Sequence, residues 1–362
     1  MIWLLAAVCA VAAIYQLLAI AGCLWHLWRR HPAASQFPPI SVLKPVYRPG
    51  PELPGAVRSH VEQDYPEFEV LLGARGIVPE VPGARVIVTH TETPNRKVGT
   101  LVDLVAEARH SIVVVNDADI RVPAGYLRVI AAELEPPEVG LVTCLYRAEA
   151  RTFAGRWEAL GIATDFAPST LVAPFVGVSE FGLGATLAFR RVDLERIGGY
   201  GAVGDYLADD YQLGAKLHAL GRRNVIARVV VSTSLGAPSW KDVWRHQVRW
   251  ARTVRLSSGG YIGLPVTFAT FWAAVAAAFG AWWLAAPLLA VRFAMALTAG
   301  WGVLRCPEAL RLALLIPFRD LYAAAVWAAA LGGNTVEWAG EILELDKQGR
   351  IVGRRVSPLR SR

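Results

Sequence analysis

Hydrophobic and polar positions divide the chain into three regimes. From Trp3 to Trp25 the run WLLAAVCAVAAIYQLLAIAGCLW carries no charge, and at about 1.5 Å of rise per residue it can cross a hydrocarbon core of roughly 30 Å. Residues 1–28 are predicted to be a spanning helix. A cleaved signal peptide is the competing reading, but no basic residue precedes the run and it is longer than a typical signal core. From Arg29 to Gly260 short apolar runs alternate with helical periodicity, the pattern of a parallel sheet covered by helices. Strands are predicted at 40–43, 68–72, 85–88, 112–115, 140–145, 186–189 and 225–231. Helices are predicted at 97–109, at 123–134 with Pro123 in the first turn, at 153–166 and at 207–220. No repeat or low-complexity linker interrupts this region, so residues 29–260 are read as one α/β domain.

Beyond Gly260 apolar density returns. Residues 264–304 are long enough for two helices joined near Pro287, and Arg292 would then be a charge at membrane depth, either snorkelling near a helix end, the commoner outcome, or facing an internal polar site. The stretch 310–331 is broken by Pro317, Arg319 and Asp320. The tail, 336–362, holds Lys347, Arg350, Arg354, Arg355, Arg360 and Arg362 against Asp346, which favours the cytoplasmic side near anionic lipid. An even number of crossings must then separate it from the middle domain, so within 261–335 the segment 310–331 is expected to lie in the interface.

Composition narrows the class. Apolar residues make up 54% of the 362 and charged residues 19%, which excludes a disordered chain and argues against a wholly soluble one. Cys9, Cys23, Cys144 and Cys306 form no C-x-x-C pair, so neither a disulfide framework nor a zinc site is indicated. The net charge of +7 has three possible meanings: nucleic acid, anionic lipid or an anionic substrate. Its position decides: Arg29, Arg30 and His31 follow the first span and hold the middle domain in the cytoplasm. The basic excess sits beside membrane segments rather than on a separate patch, so nucleic acid is not implied.

Chemistry is expected just after the carboxyl ends of the strands, where open α/β sheets bind ligands. The run SIVVVNDADIRV places Asp117 and Asp119 there. Two acids one residue apart can aim at one hard cation such as Mg²⁺ or Mn²⁺ together with diphosphate oxygens, although Asp and Asn also form plain turns. Asp209 and Asp210 open a predicted helix, where acids favour the helix dipole or can serve as a general base. The stretch SWKDVWRHQVRWARTVR, 239–255, sets Trp240 and Trp244 on one helical face and Arg245, Arg249 and Arg252 on another, an amphipathic helix suited to a membrane interface whose arginines can also clamp phosphate.

These elements, with SVLKPVYRPG, QDYPEFEVLLG, NRKVGTL, VVNDADIRVPAGYL, VGLVTCLYRA, GATLAFRRVDLERIGGY, YLADDYQLGAKL and HQVRWARTVR, resemble the membrane-bound glycosyltransferases of the ceramide glucosyltransferase family, and within it the bacterial hopanoid-biosynthesis glycosyltransferases. The resemblance covers nearly the whole cytoplasmic part. It implies an α/β GT-A fold, a Rossmann-like nucleotide-sugar domain, between N- and C-terminal transmembrane helices. It implies that Asp117 and Asp119 hold Mg²⁺ or Mn²⁺ and the diphosphate of a UDP-sugar, Asp119 more directly, and that Asp210 is the catalytic base with Asp209 as the preceding acid. Arg249 and Trp250 match the end of the family's (Gln/Arg)-x-x-Arg-Trp motif, implying contact with diphosphate or acceptor, and Lys97 matches a lysine on the donor side. His246 departs from the motif's first position. A further departure is GARGIVPEVPG, where Arg75, Gly76 and Glu80 stand in place of an aspartate-bearing turn that grips the nucleoside. The implied reaction is inverting transfer of N-acetylglucosamine from UDP-N-acetylglucosamine to a hydroxyl of a membrane lipid, a hopanoid polyol. Ceramide glucosylation is the nearest alternative, followed by polyprenyl-phosphate transfer and non-catalytic sugar-nucleotide binding. The implied location is the bacterial inner membrane with the catalytic domain in the cytoplasm.

Overall fold

The computed structural model describes residues 2–30, 32–47, 49–76, 80–257 and 260–356. His31, residues 77–79 of the turn after the second strand, and Arg360 and Arg362 of the tail lie outside the described residues. The chain divides into two compact units, one formed by Met1–Arg29, Arg147–Val178 and Leu235–Gly333, the other by Arg30–Tyr146, Ser179–Ser234 and Asn334–Arg362.

The second unit is built on a sheet of β1 (Ile40–Pro45), β2 (Phe68–Ala74), β3 (Ala84–Val88), β4 (Ile112–Val115), β5 (Val139–Ala150), β6 (Leu187–Arg190) and β7 (Arg223–Gly236), in the order β3-β2-β1-β4-β6-β5-β7. All seven predicted strands are present. β1 pairs in parallel with β2 and with β4, with Ile40 opposite both Phe68 and Ile112. The uninterrupted apolar run of β4 and the complete burial of β1 reflect cover on both faces. Ile40, Val42, Ile112 and Val114 pack toward the helices Leu53–Val61 and Tyr126–Leu134. Leu43, Val113 and Val115 pack on the other face against Val98, Leu101 and Leu104 of the helix Arg96–Glu107. The expected parallel sheet is present in β1 to β4, and β6 is added to it antiparallel to β4 and β5. It enters with Leu187 opposite Val115, at the carboxyl end of β4, and so must run back along it. The helix Leu53–Val61 was not predicted. Strand order reverses between β1 and β4, which makes their carboxyl ends the crevice where such sheets hold ligands.

Residues expected to be a basic tail fold instead as β8 (Thr335–Trp338), β9 (Glu341–Leu345) and β10 (Ile351–Val356), an antiparallel sheet in the order β10-β9-β8. Ala339 and Gly340 join β8 to β9 with φ of 53° and 79°, the two positive values that a tight hairpin turn demands.

The first unit is helical. Among the described residues, Ile2–Trp28, Phe153–Val176, Trp282–Val303 and Ala313–Ala330 are long and apolar enough to cross a membrane, and Tyr261–Thr267 with Ala269–Ala278, bent by 52°, is a possible fifth span. Leu5, Cys9 and Ala12 pack against Ala269, Ala273, Ala276, Ala285 and Leu288. The helix predicted at 153–166 runs on through a π-helical turn, Ile162–Phe166, and belongs to this unit rather than to the sheet. The break predicted at Pro287 falls instead at Gly280, which takes a φ of 72°, while Pro287 lies inside the helix Trp282–Leu297. Proline is tolerated in such helices because neighbouring groups re-satisfy the freed carbonyl.

Arg292 takes the internal of its two expected positions. It is buried and donates to Asp320 Oδ2 at 2.9 Å, Asp320 Oδ1 at 2.5 Å, Asp165 Oδ1 at 2.7 Å and the Thr164 carbonyl at 3.0 Å. Arg319, also buried, donates to Gln247 Oε1 at 2.7 Å and lies 3.6 Å from Asp165. The charges that seemed to break 310–331 therefore face the interior.

Candidate active site

Local sequence sets the floor of the crevice. At the end of β4, Asn116 is fully buried and its amide donates to the Ala185 carbonyl at 2.7 Å, to Tyr126 Oη and to Thr186 Oγ1, both at 3.1 Å. His60 approaches Asn116 Oδ1 at 3.2 Å. From β1 the buried Lys44 donates to the carbonyls of Asp117 at 3.0 Å and Ile120 at 3.1 Å, so the acidic turn is pinned from beneath by its own backbone. Burial pushes the Lys44 pKa down to about 7, against the pull of Asp119 and Asp117. Asp119 accepts a hydrogen bond from the Thr233 hydroxyl on β7.

Lys97, in the first turn of the helix Arg96–Glu107, lies 2.9 Å from Asp117 Oδ1 and 3.3 Å from Asp209 Oδ2. That helix begins there because Asn95 caps it, accepting from the Lys97 amide at 3.1 Å. Burial alone would lower the Lys97 pKa; the carboxylates of Asp117, Asp209 and Asp210 outweigh it and hold the ammonium well above its ordinary value. Asp209 and Asp210 open the helix Asp209–Ala219. Asp210 accepts from the Gly184 amide and the Tyr211 amide, each at 2.8 Å. Burial raises the Asp210 pKa, opposed by Lys97 and these two amides. Asp209 is raised to about 6, again chiefly by burial, with Lys97 opposing and Asp210 and Asp117 adding to the rise.

Gly184 completes the cluster. A Cβ placed there would lie 3.1 Å from Asp117 Oδ2, 3.3 Å from Asp210 Oδ2 and 3.6 Å from Lys97 Nζ. Three predicted groups thus converge on one bare backbone position, and Asp209 joins them through Lys97. Asp117 and Asp119 offer hard oxygen donors to a divalent ion. Among the described residues no three His, Cys, Asp or Glu side chains form a metal cage, so such an ion would complete its shell with substrate oxygens and water, as Mg²⁺ commonly does. Arg75, from the divergent turn, pairs with Glu92 and the Thr91 carbonyl.

The remaining predicted residues lie in the helical unit, on the helix Trp240–Ser257. His246 Nδ1 is 2.5 Å from Oε1 of the buried Glu158, and its ring sits 4.4 Å from that of Trp250. Trp250 also meets Phe166 at 6.1 Å. Arg249 lies on the same helix, its carbonyl accepting from Thr253. Lys44, Asn116, Gly184 and Thr233 were not singled out from sequence. Lys44, Asn116 and Gly184 fall within the quoted strings SVLKPVYRPG, VVNDADIRVPAGYL and GATLAFRRVDLERIGGY, which gave them no role of their own, and Thr233 lies on β7 outside every quoted string.

The fold resembles that of a mannosyltransferase from Pyrobaculum calidifontis, solved with GDP-Man and Mn²⁺, with a TM-score of 0.54 and 22% identity over 90% of this chain and 97% of that one. The Rossmann-like core therefore has the GT-A fold. Residues 3–351 match the model of Glycosyl transferase family 21, and the chain belongs to that family. It is also 23% identical over 238 residues to ceramide glucosyltransferase 1 of Caenorhabditis elegans, covering 60% of this chain and 51% of that protein. The match thus spans about half the length of that curated relative.

Proposed function

We propose that the protein transfers a sugar, with inversion, from a UDP-sugar to a hydroxyl of a membrane lipid, the donor being UDP-N-acetylglucosamine and the acceptor a hopanoid polyol. The observation that carries this reading is the convergence of Asp117, Asp210 and Lys97 on Gly184, where the carboxyl end of β4 meets the amino end of β6. In the proposed step Asp210 takes the proton of the lipid hydroxyl, the freed oxygen bonds to the anomeric carbon, and the bond to UDP breaks. A carboxylate with a raised pKa is the better base for that task. Asp117 and Asp119 would hold a divalent cation, which when bound supplies positive charge against the departing diphosphate. Lys97 holds Asp117 and Asp209 in register. Arg249 and Trp250 are assigned to diphosphate or acceptor. An acceptor that cannot cheaply leave the bilayer accounts for apolar helices in a sugar-transferring chain. The likeness to ceramide glucosyltransferase 1 favours a second reading, glucosyl transfer to ceramide.

The test is a panel of radiolabelled UDP-N-acetylglucosamine, UDP-glucose and GDP-mannose with vesicles containing a hopanoid polyol or ceramide. Asp210→Asn is expected to keep donor binding and lose about 10²–10⁴ in rate, and Asp119→Ala to lose metal-dependent donor binding. Turnover retained by the Asn variant discards the base assignment. Transfer only from UDP-glucose to ceramide selects the second reading.

A further inference from the structure

The C-terminal sheet is remote in sequence from the acidic cluster, yet its contacts go to the two loops that carry Lys97 and Asp209. β10 extends onto one of them: the Ile351 amide donates to the Asp205 carbonyl at 2.7 Å, the Leu207 amide to the Gly349 carbonyl at 3.2 Å, and Tyr206 bridges to Arg350. The Arg350 guanidinium donates to Tyr206 Oη at 3.2 Å and lies 5.4 Å from its ring centre. On the other loop, Arg96 pairs with Glu341 Oε1 at 3.0 Å. Arg354 pairs with Glu341 Oε2 at 3.4 Å and donates to the Pro94 carbonyl at 2.5 Å. Glu341 is 8% exposed, so its charge is matched by two arginines in a largely dry setting. The loops are also tied to each other, the Asn95 amide donating to the Gly204 carbonyl and its side chain to the Tyr206 carbonyl, both at 2.8 Å. Arg96 reaches further, to Tyr47 Oη at 3.1 Å, just past the end of β1.

Such a circuit has a geometric consequence. Lys97 follows Arg96 directly, and Asp209 follows Leu207 by two residues, so motion of either loop would separate the ammonium from its carboxylates. The sheet buries Val336, Leu343, Leu345 and Ile351, so it offers the loops an ordered surface to bond to.

We propose that the C-terminal sheet is a positioning element of the donor site, and that Glu341, by holding Arg96 and Arg354, fixes the loop that presents Lys97. The inference rests on the donor-site reading above, and its test separates the two. Glu341→Gln, Glu341→Asp and Arg350→Ala are made in the full chain and compared with wild type by amide hydrogen exchange, thermal melting, and binding of UDP and of GDP in the presence of Mn²⁺. The expected result is faster exchange at 93–98 in Glu341→Gln and at 204–210 in Arg350→Ala, and nucleotide affinity lowered at least about twofold, the lower end of coupling seen between residues in one network. Glu341→Asp recovers part of the affinity, and melting stays within a few degrees of wild type. Unchanged exchange in both variants overturns the proposal, as does faster exchange with unchanged nucleotide affinity. If the unaltered chain binds neither nucleotide, it is the donor reading that fails, and the exchange difference alone then decides whether the sheet fixes the loops.

Discussion

Gly184→Ala tests the site at its narrowest point. Its φ is not among the positive values, so alanine fits the backbone and the effect comes from space alone. The new methyl would sit 3.1 Å from Asp117 Oδ2 and 3.3 Å from Asp210 Oδ2, whereas ordinary contact begins at 3.4 Å, so each carboxylate must retreat by a few tenths of an ångström. Both are ends of side chains, and the fold should lose no more than about 1 kcal/mol. Activity is more exposed, because the shift moves the proposed base and a proposed metal ligand together. Misplacement on an ångström scale costs about 10²-fold, and a smaller shift should cost about 10-fold or more. Gly214→Ala is the contrast: its Cβ would meet the backbone of Phe181 at 2.5 Å and of Gly182 at 2.6 Å, neither of which can swing away. It should lower stability by about 1–3 kcal/mol. Sugar transfer and thermal melting measured on both variants decide the matter. Transfer by Gly184→Ala within twofold of wild type, or a loss of stability equal to that of Gly214→Ala, would refute the reasoning.

Two further outcomes follow from buried charge. His60 is held well below its ordinary pKa, first by burial and then by the positive charge of Lys44. The unfolded chain therefore takes up a proton near pH 6.5 that the folded chain refuses, so this residue removes stability as pH falls below about 6.5, at up to about 1.4 kcal/mol per pH unit. Melting followed from pH 7.5 to 5 should show a shallower decline in His60→Gln; identical slopes would contradict it. Arg292→Leu takes the counter-charge from Asp320, which keeps the Thr270 hydroxyl, and leaves Asp165 to Arg319, and it should cost about 3–5 kcal/mol. Arg292→Leu with Asp320→Leu should recover much of that in melting of the detergent-solubilised protein, and a double variant no better than the single would dismiss the pair as a source of the loss.

The central strands were legible because β4 is an unbroken apolar run and β1 opens on apolar residues, a pattern that buried parallel strands share with little else of that length. Strand direction was not legible: β6 reads like any short apolar run, and only its entry beside the end of β4 makes it antiparallel. The C-terminal sheet shows how one signal can mask another. Its segments EILEL and IVGRRV do alternate, but the arginines were counted as membrane-facing charge, whereas Arg354 and Arg350 are committed to Glu341 and Tyr206. Within the site, Asp117, Asp209 and Asp210 were visible because carboxylates after a strand or opening a helix stand out against their surroundings. Lys44 was invisible because a lysine inside a strand ordinarily points to water, and here it is buried beneath the turn it supports. Arg292 was placed correctly only as the rarer of two outcomes, since its partners are 28 and 127 residues away.

That separation also bears on how the chain is made. Asp165 leaves the ribosome long before Arg292, and Asp320 after it. Burying an acid without its partner is costly, and both arginines that pair with Asp165, Arg292 and Arg319, are made after it. Burial of Asp165 is then a late event, timed by the arrival of Trp282–Val303, and a nascent chain halted before that point would hold the acid without Arg292 and Arg319.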